Sequence, residues 1–198
     1  MPTKIFHTIL NYVLDKYEGI YSNDKDDKGG ETVFGIARNI HPDLKLWVIV
    51  DSFKQSEYFL NLIGNDKHLF DLVSDFYFEE FWKPLHCDIF PPSIAAELFE
   101  SAVNIGLESE IRILQKTLNL LNKNEGRYSD IKIDGIFGQI TLRTCNFYFD
   151  NYSSKLFFKV LNIYQAFHYI SLMENNPVYE KYIGWFERVT FNSDFYYK

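Results

Sequence analysis

Glu18-Gly19-Ile20-Tyr21-Ser22-Asn23-Asp24-Lys25-Asp26-Asp27-Lys28-Gly29-Gly30-Glu31-Thr32-Val33-Phe34-Gly35-Ile36 says more about function than the rest of the sequence combined. Upstream of it Phe6, Ile9, Leu10, Val13, Leu14 and Tyr17 recur at the three-and-four spacing of one helical face. Glu18 lies one turn beyond Leu14, so its side chain borders that apolar face, and Gly19 suits the positive-φ residue that commonly stops a helix. A carboxyl held against apolar side chains, near the negative end of a helix dipole, is expected to have a raised pKa and to keep its proton. Such a group can act as a general acid. The Asp- and Gly-rich run that follows is turn chemistry, and the alternation Thr32-Val33-Phe34-Gly35-Ile36 predicts a short strand or hairpin arm. A hairpin there brings a second, water-exposed carboxylate opposite Glu18, for which Asp27 is the choice.

Two plainer readings compete. Glu18 can be an ordinary acid in a last helical turn, and the acidic cluster a solvated loop. A calcium loop is the weaker form of that reading, since counting from Asn23 puts Lys28 at the sixth position and Phe34 at the twelfth, where an EF-hand loop has Gly and Glu, and no neighbouring start rescues the pattern.

Four separated blocks, in one order and covering nearly the whole chain, resemble the glycoside hydrolase 108 family. The first is Glu18-Gly19-Ile20-Tyr21-Ser22-Asn23-Asp24, then Asp27-Lys28-Gly29-Gly30-Glu31-Thr32 and Phe34-Gly35-Ile36. The second runs through Phe81-Trp82-Lys83-Pro84-Leu85, Cys87-Asp88 and Pro91-Pro92 to Phe99-Glu100-Ser101-Ala102-Val103-Asn104-Ile105-Gly106. The third, Leu114-Gln115-Lys116-Thr117-Leu118-Asn119 with Asp134-Gly135-Ile136-Phe137-Gly138 and Thr141-Leu142, is similar to the peptidoglycan-binding part that follows in the family. The fourth is Gly184-Trp185-Phe186-Glu187-Arg188-Val189. Departures are Ile20 for the second Gly, Lys28 for a Pro and Lys83 for an Asp; none removes a carboxylate.

The resemblance implies a mainly helical, lysozyme-like α+β fold with a small β-hairpin beside the active site. Residues 1–90 would form the catalytic region and 91–198 a helical peptidoglycan-binding-like region packed with it as one globule. It implies hydrolysis of the β-1,4 bond between N-acetylmuramic acid and N-acetylglucosamine. Glu18 would be the acid, Asp27 (alternatively Asp24 or Asp26) the second carboxylate, and Thr32 would position a water. Glu31 is an alternative second acid. Tyr21, Glu31, Trp82, Asn104 and Trp185 would contact substrate. Aromatic rings offer sugars flat apolar faces with polar edges, although core packing is the commoner role for any one of them. Family members also carry the label secretion activator protein, so a non-catalytic wall-binding or secretion-accessory role on the same scaffold stands as the alternative.

Composition sets further bounds. The 198 residues carry a formal net charge of -7 with 46% hydrophobic residues, enough for a sizeable core, and 18% aromatics. That charge gives no long-range attraction to nucleic acid or other polyanions. Cys87 and Cys145 are expected to be buried thiols rather than a disulfide framework, and the adjacent trio His86-Cys87-Asp88 is poorly arranged for one metal. No metal or organic cofactor is implied. The N-terminus reads as an amphipathic helix without a signal-peptide pattern, and no apolar run is long enough to span a membrane. The expectation is synthesis in the cytoplasm, with a holin or a secretion system delivering the protein to peptidoglycan glycan strands in the periplasm or wall.

Further helices are predicted from Leu69, Leu72, Val73, Phe76 and Tyr77, ending near Trp82 and Pro84; from Ile94 to Asn104 behind a Ser93 N-cap; and from Ile111, Leu114, Leu118 and Leu121. A long one is predicted from Ser153 to Met173, with Leu156, Val160, Phe167 and Ile170 inward, and a last one from Val178 to Val189.

Overall fold

The computed structural model of the chain describes residues 2–23 and 29–192. It divides into two compact units between Glu80 and Phe81.

In the first unit, helix α1 (Lys4–Val13) opens on Thr3, whose hydroxyl accepts from the Phe6 backbone N–H at 3.3 Å. The predicted stripe is its buried face: Phe6, Ile9, Leu10 and Val13 are each at most 1% exposed, and each contributes about 1.5–3 kcal/mol by leaving water. The helix then widens into a π-helical turn, Leu14–Glu18, closed by Gly19 N–H donating to the Leu14 carbonyl at 3.0 Å. Gly19 has φ +67, a backbone state that favours a residue without Cβ.

Strands β1 (Tyr21–Asn23), β2 (Glu31–Val33) and β3 (Ile36–Ala37) form an antiparallel sheet in sequence order, with Tyr21 opposite Val33 and Val33 opposite Ile36. The Thr32–Ile36 run is therefore two strands rather than one arm. Phe34 and Gly35 form its two-residue turn, both with positive φ (48° and 78°), as a turn matched to strand twist requires. Phe34 is an unusual residue in that conformation, which is why alternation alone misses the turn.

Helices α2 (Leu46–Phe53), α3 (Phe59–Asn65) and α4 (Lys67–Tyr77) complete the unit. Asp66 caps α4 by accepting from Leu69 N–H at 2.7 Å, and α4 buries Leu69, Val73, Ser74 and Tyr77 against α1.

The second unit is helical. Its core is α5 (Pro92–Ile105), α6 (Leu107–Leu121) and α8 (Ser154–Asn175), with α7 (Gln139–Asn151) against α6 and a 3-10 helix, Pro177–Arg188, against α8. Helix α5 starts at Pro92 with Pro91 as its cap residue, so Ser93 is inside the first turn rather than at the N-cap. Residues 81–90 pack here too, because Trp82 meets Phe99 edge to face and the 3-10 turn Cys87–Ile89 lies on α5. Cys87 and Cys145 are buried free thiols, as expected.

Helix α8 turns a different face inward from the predicted one. Leu156, Phe167 and Ile170 are 49%, 62% and 40% exposed, while Phe157, Phe158, Leu161, Asn162, Gln165, Tyr169 and Met173 are buried. The cause is polar. Asn162 and Gln165 belong to the inward stripe, where Gln165 Nε2 approaches Glu100 Oε2 at 3.5 Å and Asn162 Oδ1 accepts from Thr190 N–H at 2.7 Å. Among the described residues no helix is long and apolar enough to cross a membrane.

Candidate active site

The π-helical turn ends on Glu18, half-buried, and delivers its carboxyl over the β2–β3 turn. A Cβ placed on Gly35 would lie 2.6 Å from both Glu18 Oε2 and Tyr77 Oη. The acid and the phenol thus share one small space that only a glycine leaves open. Tyr77, 2% exposed on α4, donates its hydroxyl to the Phe34 carbonyl at 2.7 Å, while Phe34 N–H donates to the Ile20 carbonyl at 3.0 Å. Those two bonds fix the turn from either side. A helix end, a sheet turn and a buried phenol meet around the acid, brought together from positions 18, 35 and 77.

A charged network lies on the sheet. Glu31, 9% exposed, accepts from Tyr21 Oη at 3.1 Å on Oε1, and its Oε2 meets Arg38 Nε at 2.8 Å and Lys54 Nζ at 3.0 Å. Asp51 closes the set through Arg38 Nη2 at 2.7 Å and Lys54 Nζ at 2.8 Å. The bidentate Arg38 bonds, followed by that of Lys54, pull the Asp51 carboxyl down to about 2. The Arg38 guanidinium also stacks 4.4 Å over Trp47. Glu31 is thus engaged by two cations and a phenol, tying β2 to β1 and α2.

Thr32 is half-buried, on the opposite side of β2 from Glu31 and Val33, and its hydroxyl donates to the Gly30 carbonyl at 3.2 Å. Gly30 has φ +66, and a side chain there would meet the Asn39 amide at 2.6 Å. Asp24, Asp26 and Asp27, the candidates for the second carboxylate, lie outside the described residues.

The remaining expected contacts are in the second unit. Trp82 is corrected to a core residue: it is 1% exposed, its indole N–H donates to Asp88 Oδ1 at 3.1 Å, and it has no face left for a sugar. Asn104 accepts from Tyr169 Oη at 2.8 Å. Trp185 is half-buried and belongs to an aromatic cluster, stacked on Tyr182 at 5.0 Å and tilted against Tyr169 at 5.5 Å. Sequence reasoning missed Tyr77, Arg38, Asp51 and Lys54. Their only signal was the spatial partnership that a linear pattern does not carry. Among the described residues no group of three or more His, Cys, Asp or Glu side chains could hold a metal ion.

Comparison with known proteins agrees with this architecture. The family model described as Glycosyl hydrolase 108 matches residues 10–106, and the one described as Predicted Peptidoglycan domain matches residues 109–190. Among solved structures, Brucella abortus SagA is similar over 93% of this chain and 88% of its own, at 20% identity and a TM-score of 0.61, a likeness in fold. No curated protein matches the chain.

Proposed function

This chain belongs to the glycosyl hydrolase 108 family, with a peptidoglycan domain behind the hydrolase part, and from that premise we propose that it is an N-acetylmuramidase with Glu18 as general acid. It is a glycoside hydrolase of peptidoglycan, lysozyme-like and mainly helical. The proposal lies in the bond and the residues. It rests on one observation, the half-buried Glu18 carboxyl held over Gly35 beside Tyr77 Oη. General acids of glycosidases sit in such partly desolvated surroundings, where the proton is kept until the leaving oxygen takes it.

In this reading Glu18 protonates the glycosidic oxygen as the bond to the sugar carbon breaks. Asp27 either directs a water to the opposite face or stabilises the oxocarbenium-like centre. Glu31, occupied by Arg38, Lys54 and Tyr21, serves instead to hold the sheet that carries the turn. Thr32, one strand position from Glu31, is the residue proposed to position the water. Delivery to the wall is proposed to run through a holin or a secretion system.

Mass spectrometry of the muropeptides released from purified peptidoglycan tests the bond. Muramic acid at the new reducing ends is the expected result, and glucosamine there refutes the assignment. A wild-type protein inert on several wall types supports the non-catalytic wall-binding or secretion-accessory reading instead.

A further inference from the structure

The second unit holds a pocket of about 190 Å³ beside the start of α7, in the loop that Gln115 staples to α6. Gln115 is 1% exposed and spends its whole amide on that loop. Its Oε1 accepts from the N–H groups of Asp134 and Gly135, both at 3.0 Å. Its Nε2 donates to Asp134 Oδ1 at 3.0 Å, the Ile136 carbonyl at 3.1 Å and Thr141 Oγ1 at 3.3 Å. The pocket is therefore pre-formed rather than a gap in a soft loop.

Its walls carry three chemistries side by side. Ile136 and Ile140 stand 66% and 68% exposed, an apolar pair at a concave surface. Asp134 uses Oδ1 for Gln115 and Ile136 N–H, while its Oδ2 lies 3.9 Å from Lys132 Nζ. Lys132 is itself 85% exposed. The first turn of α7 has no side-chain cap, since Gly138 occupies that place, and Gly138, Gln139, Ile140 and Thr141 of that helix start line the pocket.

We propose that this pocket binds the short peptide stems of peptidoglycan by a carboxylate end, with small side chains against Ile136 and Ile140. The proposal rests on the peptidoglycan reading of the second unit and names the part of the polymer that it grips. Peptidoglycan offers a neutral glycan and amphoteric peptides. Among the described residues no aromatic ring lines the pocket, so it lacks the flat face that sugar rings stack on. It has instead a cation and helix N–H groups for a carboxylate, a carboxylate for an ammonium group, and aliphatic walls for alanine methyls. Its volume is below the ~300 Å³ at which clefts for drug-sized ligands begin, which suits a peptide terminus.

The test is an amide NMR titration of the full chain with the pentapeptide L-Ala-γ-D-Glu-L-Lys-D-Ala-D-Ala, and separately with chitotetraose. The pentapeptide is expected to shift Asp134 and Gln139 to Thr141, and Lys132→Glu is expected to weaken its binding about three- to fivefold, the scale of one charge at an exposed helix terminus. Ile140→Ser, at an exposed position, checks the apolar wall in the same way. Pentapeptide binding without shifts at these amides, shifts there from chitotetraose instead, or full affinity in both variants overturns the proposal. Failure of the hydrolase reading shows separately: a wild type that binds the pentapeptide here but cuts no wall leaves the pocket standing, and one that cuts without binding it removes the pocket alone.

Discussion

At the scale of single residues, Gly35 is the position on which the site depends most visibly. Its φ of +78 already disfavours a side chain, and the Cβ of any substitute falls on the Glu18 carboxyl and the Tyr77 hydroxyl. Gly35→Ala is therefore expected to cost about 1–2 kcal/mol of stability by the left-handed backbone penalty. Its effect on hydrolysis is expected to be larger, a loss of ~10²-fold in kcat, because a catalytic group displaced by about 1 Å loses that much. Denaturant melts and steady-state rates on the same preparation check both, and wild-type turnover in Gly35→Ala contradicts the placement of Glu18. Glu18 stands out in the sequence as a candidate because an acid closing an apolar stripe before an Asp-Gly turn is a local pattern. Tyr77 was not legible as a partner, since the bond from its hydroxyl to Phe34 spans 43 residues and nothing in its own helix distinguishes it from a core tyrosine.

At the scale of elements, the second unit is built round charge. Glu97, Glu100 and Glu110 are each 0% exposed on α5 and α6; Glu100 pairs with Arg188 at 2.5 Å and Glu110 accepts from Ser101 Oγ at 2.5 Å. Burial first, then the carboxylates of Glu97 and Glu100, push Glu110 well above the ordinary glutamic range, against the opposing Ser101 bond. The folded state then holds a proton that the unfolded chain releases near pH 4.3, so stability falls as pH rises from there toward the folded pKa. Glu110→Gln removes the titration while keeping shape. It is expected to raise Tm at pH 8 by ~2–4 °C, the scale of about 1 kcal/mol in a chain of this size, and to flatten the decline between pH 5 and 8. A lower Tm at pH 8 in thermal melts contradicts it.

The same polar interior explains where element reading stopped. Helix α1 was legible because its buried face is wholly apolar, and α6 likewise buries Ile111, Leu114 and Leu118. On α8 the apolar rule selected Leu156, Phe167 and Ile170, because Asn162 and Gln165 on the true inward face read as solvent positions until Glu100 and Thr190 are placed beside them. Trp82 shows the converse, an aromatic read as a binding surface that the fold uses as core.

At the scale of the whole molecule, a net charge of -7 sets how the enzyme meets any anionic polymer of a wall. Attraction by cation release, the mode of basic wall binders, is absent, and repulsion is screened as salt rises. Cosedimentation with purified peptidoglycan is therefore expected to hold or improve between about 0.05 and 0.5 M NaCl, a range over which the Debye length shrinks about threefold. A steep loss over that range contradicts the charge argument. The central claim is that Glu18 supplies the proton for glycan cleavage, and reducing-end release from purified peptidoglycan by Glu18→Gln, with Tm measured on the same sample, tests it most directly. The account predicts a rate reduced at least ~10²-fold, the lower bound for loss of a general acid, with Tm unchanged or slightly raised. A folded variant that digests peptidoglycan at the wild-type rate contradicts it.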